Sequence, residues 1–151
     1  MDENIREIYR ALRTSQDKYT YFLLAVAGAG IGFAVNQTQG LPINWSQVPL
    51  GLSVLCWAVS FFYGCKHIKY INSTLYSNFT LLFVEKGRDP VLGDNPNRIA
   101  IASNAIREGM ASNSDKIGKF SIRQFQYLVL GAVLFIIWHI FEMVLRSNFG
   151  N

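Results

Sequence analysis

The sequence predicts an all-α integral membrane protein: three transmembrane helices, an amphipathic helix before the first, and a polar helical region between the second and third, assembled as a homo-oligomeric bundle. Three observations carry this. Of 151 residues, 50% are hydrophobic, 14% are aromatic and only 16% are charged, an unusual balance for a water-soluble domain. The apolar residues fall in blocks, 19–35, 48–65 and 125–145, the last carrying His139 and Glu142 as its strongly polar pair. Their 17, 18 and 21 residues approach the ~20 that cross about 30 Å of hydrocarbon. Third, the basic residues are unevenly spread, with 13 of the 14 in residues 1–18 and 66–123, none in 36–47, and only Arg146 after the third block.

Basic residues are retained on the cytoplasmic side of a membrane, so this asymmetry assigns residues 1–18 and 66–123 to the cytoplasm. Three crossings then leave the C-terminus outside, periplasmic if the membrane is a bacterial inner membrane. Tyr19, Tyr21, Tyr63, Phe125 and Tyr127 fall at inner ends of the blocks, and Trp45 and Trp138 toward the outer face. The first block is not expected to be a cleaved signal peptide: four acids precede it, and the uncharged run before Ala25, Ala27 and Ala29 is only a few residues long.

Taken in order, residues 1–18 place Ile5, Ile8, Tyr9 and Leu12 at helical spacing, with four acids balancing four bases. They read as an amphipathic helix that either lies on the membrane surface or packs on the cytoplasmic region. The first span, 19–36, carries Ala25, Gly28, Ala29 and Gly32, including a GxxxG spacing at which helix backbones approach closely. Residues 37–47, with Gly40, Leu41 and Pro42, form a short uncharged external hairpin. The second span, 48–66, begins with Pro49 in its first turn and has Ser53, Trp57, Ser60 and Gly64 on one face.

Beyond it, Ile68, Ile71, Leu75, Phe79 and Leu82 continue a helical spacing as far as Gly87, so the span is expected to run on as a stalk. Gly87, Pro90, Gly93, Asp94, Asn95 and Pro96 then make a turn. Asp94 or Asn95 is expected to cap a short helix with Pro96 at its first position and Ile99, Ala102, Ile106 and Met110 on its apolar face. Residues 111–118, Ala-Ser-Asn-Ser-Asp-Lys-Ile-Gly, are expected to break the chain again before the third span, 124–146, and the external tail, 147–151.

Few residues suggest chemistry. His139 and Glu142, three apart on one face of the third span, are candidates for an outer pore mouth or a proton-sensing pair, with Asn36 at the outer end of the first span. Alternatively they are an interfacial pair with Arg146 as counter-ion. Segment 66–123 has nine bases against five acids. That excess suits anionic lipid, or an anionic nucleotide or oligonucleotide bound where protomers meet and held by Lys66, His67, Lys69, Arg98 and Arg107. Cys56 and Cys65, nine residues apart on one helix, are separated by about 13 Å of rise and cannot bridge within it. There is no catalytic constellation, metal-ligand spacing, phosphate loop or dinucleotide fingerprint, so neither enzyme activity nor a cofactor is expected.

An amphipathic helix leading into a two-span hairpin whose second helix runs on into the cytoplasm resembles small bacterial membrane effectors of anti-phage defence, including the SLATT-type group. The resemblance covers residues 3–36 and 48–86 and leaves the third span outside it. It implies a membrane-disrupting pore controlled by a nucleotide signal or a cytoplasmic partner protein. Two other classes remain: a non-conducting immunity or regulatory protein that binds a partner within the bilayer, and a three-span lipid kinase. The kinase would need acidic ligands near the inner helix ends, where Tyr63, Gly64, Cys65 and Lys66 supply none.

Overall fold

The computed structural model describes residues 3–40, 44–90, 93 and 95–149, with backbone alone for Asn4, Ile5, Arg6, Tyr9, Arg146, Asn148 and Phe149. The expectations that rest on the side chains of Ile5, Tyr9 and Arg146, and on Leu41, Pro42 and Asp94, lie outside the described residues. Among the described residues there is no strand. Three long α-helices, α1 (Glu3–Gln37), α2 (Val48–Glu85) and α3 (Pro96–Phe149), are joined by residues 38–47, which include a short 3-10 segment, Trp45–Gln47, and by residues 86–95.

The helix ends follow their local chemistry. At the end of α2 the Gly87 N–H donates to the Val84 carbonyl at 3.0 Å and the Arg88 N–H to the Phe83 carbonyl at 3.1 Å. This paired closure needs a left-handed residue, and Gly87 supplies it with φ of +63°. Of the two residues expected to cap α3, Asn95 does so: its Oδ1 accepts from the N–H groups of Asn97 and Arg98 at 3.1 and 3.3 Å. Pro96 follows at the first helical position, where a missing N–H costs nothing.

One expectation is corrected. Residues 111–118 do not break the chain, because α3 runs unbroken for 54 residues. Ser, Asn, Asp and Gly are weak helix formers rather than stops, and even Gly118 costs only about 1 kcal/mol relative to Ala. Packing outweighs that cost. Asn113 donates to Ser73 at 3.2 Å, and His67 Nδ1 lies 3.1 Å from the Ile117 carbonyl.

The chain divides into two compact units, Met1–Gly64 with Ser121–Asn151, and Cys65–Phe120. The first contains the core: Leu23, Ala27, Ala34, Leu50, Trp57, Leu128 and Trp138, with Ile31, Val54 and Phe135 packed against them. Around it Phe22, Phe33, Leu55, Phe62, Val133, Ile136, Ile140 and Phe141 are exposed. In each helix the most apolar 18-residue stretch has mean hydropathy of 1.4, 1.7 or 2.4, yet only 22%, 28% and 17% of those stretches is covered by the protein itself. So much uncovered apolar surface is stable in hydrocarbon and not in water. The second unit is an antiparallel hairpin of the α2 and α3 segments, in which Tyr70 stacks on Phe120 at 5.4 Å and Arg107 pairs with Glu85 at 2.6 Å.

Candidate functional site: the helix-packing centre and the polar groups around it

Three α2 side chains at positions 53, 57 and 60 share a face and donate to backbone carbonyls of α3. Ser53 reaches Gly131 at 2.7 Å, Trp57 Nε1 reaches Leu128 at 3.2 Å, and Ser60 reaches Gln124 at 2.7 Å. A helix carbonyl already bonded to its own N–H keeps a second lone pair, so the clamp sacrifices no helical bond. Interhelical bonds of this kind contribute about 0.6 kcal/mol each, up to about 1.7, and their directionality sets register.

Trp57 is the centre of this packing. A Cβ added at Gly30 of α1 would lie 2.9 Å from its ring, and one at Gly131 of α3 would lie 2.6 Å away. The indole is held between two glycines on separate helices. Phe135 packs on Trp57 at 5.7 Å and on Trp138 at 5.6 Å, and Phe33 meets Phe135 edge-on at 5.7 Å. Toward the other end of the unit, Gly64 makes room for Gln124: a Cβ there would come within 2.6 Å of both Gln124 Nε2 and Leu24 Cδ2.

The structure therefore assigns the helix-packing residues to two faces. Ser53 and Ser60 are fully buried between α2 and α3 of the same chain. Ala25, Gly28, Ala29 and Gly32 form an exposed face of α1, and a Cβ at Gly28 or Gly32 would meet nothing within 4 Å. The glycines that do receive a neighbour within this unit, Gly30, Gly64 and Gly131, lie outside any GxxxG pair. Gly64 belongs to the face expected on α2 with Ser53, Trp57 and Ser60, whereas Gly30 and Gly131 carry no spacing signal and only the bulk of Trp57 opposite reveals them.

The candidate anion ligands are not gathered. His67 is buried against Ile117, Lys66 is half-buried, and Lys69, Arg98 and Arg107 are exposed. Measured along α3 from Ile117, which marks the level of His67, Arg107 is about 15 Å away and Arg98 about 28 Å away. Arg107 is also engaged by Glu85. Within one chain Arg98 and Arg107 therefore stand apart from Lys66, His67 and Lys69, which share one turn of α2.

At the opposite end of α3, His139 is exposed, its ring nearly parallel to that of Phe135 at 6.4 Å, and Glu142 is half-buried. Asn36, exposed, follows Phe33 by one turn as His139 follows Phe135, so the Phe33–Phe135 contact places them at a common level. Trp138, expected near the outer face, is 4% exposed and part of the core. Its Nε1, Gln124 Nε2 and Ser103 Oγ are buried without a partner among the described residues. No group of three or more metal-ligating side chains occurs among the described residues.

Fold and surface together define an all-helical multi-pass membrane protein. Comparison with family models, curated proteins and solved structures yields no match to this chain.

Proposed function

We propose that this protein is a homo-oligomeric membrane pore or channel-type effector gated through its cytoplasmic hairpin, with the N-terminus and residues 66–123 in the cytoplasm and the C-terminus outside. The observation that carries the reading is the continuity of two helices. α2 and α3 each pass without a break from an apolar stretch into the polar hairpin. The two helices are therefore the chain path shared by the hairpin and the apolar stretches, and gating in this proposal travels along them.

Self-association through α1 is part of the proposal. Ala25, Gly28, Ala29 and Gly32 leave a flat exposed strip, and in lipid, where helices gain nothing from hydrophobic drive, close backbone approach is what favours association. His139, Glu142 and Asn36 are then polar groups at the outer mouth. The layout's resemblance to anti-phage effectors brings the biological role, permeabilisation of an infected cell's membrane on a nucleotide or partner-protein signal, into the same proposal.

Ion conductance of the purified full chain in proteoliposomes tests it. Discrete conductance steps are expected, and they should disappear in Gly28→Leu with Gly32→Leu along with a shift of native mass toward monomer. A non-conducting protein of unchanged mass would instead leave the regulatory, partner-binding alternative.

A further inference from the structure

Within the hairpin, the face of α2 that packs on α3 carries His67, Tyr70, Leu81 and Val84. The opposite face carries a second series, Cys65, Lys69, Asn72, Tyr76, Phe79 and Phe83, and every member is exposed. Tyr76 is 74% exposed, Phe79 59% and Phe83 42%, and the two phenyl rings lie 5.1 Å apart. Steps of 4, 3, 4, 3 and 4 residues separate these positions, the alternation that keeps one narrow seam facing a partner helix along a coiled coil.

We propose that this seam is the docking surface for α2 of a second copy of this chain, in parallel orientation. The proposal rests on the membrane reading above, since copies inserted with one topology can meet only in parallel about an axis along the membrane normal. Identical residues then face each other in register, as a parallel seam requires. Asn72 sits on the seam one step before its aromatic members, and a polar side chain at such a position fixes register by pairing with its counterpart.

The exposed aromatic area is a substantial part of what this partner needs. Three aromatics of roughly 150–250 Å² each, exposed by more than half on average, leave about 350 Å² per protomer, some half of the ~800 Å² per partner of a stable interface. An anionic lipid surface fits the seam less well. A helix lying on a bilayer presents an apolar face about 100° wide or more, whereas this stripe contains Asn72 and is flanked by exposed Ser73 and Asn78.

Cys65 makes the test direct, because it is native, exposed and on the seam, whereas half-buried Cys56 is off it. Facing seam positions of parallel helices lie close to the separation a disulfide needs. The full chain in liposomes at high lipid dilution is oxidised with copper phenanthroline. A disulfide-linked dimer is expected in the parent and in Cys56→Ser, and none in Cys65→Ser. Tyr76→Lys with Phe79→Lys should lower the dimer yield at least tenfold while monofunctional maleimide labelling of Cys65 stays unchanged. Absence of the parent dimer with Cys65 still reactive to maleimide would overturn the interface and leave anionic lipid or residues 3–18 as the cover of the stripe. So would a dimer that persists in the double lysine variant. Conductance without the Cys65 link would sink this inference and leave the pore standing; the link without conductance would do the reverse.

Discussion

Trp57 shows how a single side chain organises three helices. Its indole fills the space left by two missing Cβ atoms, at Gly30 and Gly131, and its Nε1 donates to Leu128. Gly131→Ala would force a methyl group to within 2.6 Å of a rigid ring and 3.1 Å of the Ser53 carbonyl. Such overpacking costs about 1–3 kcal/mol, so a correspondingly earlier loss of helical circular dichroism on titration of sodium dodecyl sulfate is expected. Gly28→Ala, with nothing within 4 Å of the new carbon, should not lower the unfolding midpoint of the monomer and should raise it by up to about 1 kcal/mol of helix propensity. A Gly131→Ala midpoint equal to that of Gly28→Ala would contradict this packing. Ser60→Ala removes a donor whose acceptor, the Gln124 carbonyl, still has its helical partner, so a loss of only about 0.6 kcal/mol is expected by the same measurement.

At the scale of elements, the end of α2 depends on Gly87. A left-handed residue with a Cβ costs about 1 kcal/mol there, so Gly87→Ala should loosen the turn between α2 and α3. Asn95→Ala removes the side-chain acceptor for two N–H groups and should cost about 1 kcal/mol at the start of α3. Faster amide exchange confined to residues near each substitution would report both, and unchanged exchange would refute these roles. The continuity of α3 has a sharper consequence. Gly118→Pro would interrupt the helix at a cost of about 3 kcal/mol or more, and in the proposed mechanism it should uncouple the hairpin from the pore. Conductance in that variant should persist while its response to changes in the hairpin is lost.

For the whole molecule, orientation is the property on which function depends. In a background of Cys56→Ser with Cys65→Ser, a cysteine at position 40 should react with an impermeant maleimide added outside intact cells. One at position 88 should react only after permeabilisation. The reverse pattern would invert the proposed topology and move the hairpin to the external side.

What the sequence determined by itself is what depends on composition and local chemistry. Three apolar blocks of spanning length follow from the dimensions of the hydrocarbon layer, and the run of α2 to Gly87 and the Asn95–Pro96 start of α3 follow from spacing and capping. The choice of partner for each face was decided only in the tertiary structure. Gly28 and Gly32 have the spacing of a contact and are exposed, while Gly30 and Gly131 lack any such pattern and meet Trp57. Apolar periodicity cannot distinguish these faces, because in a bilayer the outward side of a helix is as apolar as the inward one. Residues 111–118 were misjudged for a related reason: helix propensity is a small local preference, and the contacts of Asn113 and Ile117 with Ser73 and His67 exist only once α2 lies alongside. The five residues expected to hold an anion where protomers meet were joined by charge alone, and charge says nothing of distance: within a single chain Arg98 lies about 28 Å along α3 from the level of His67.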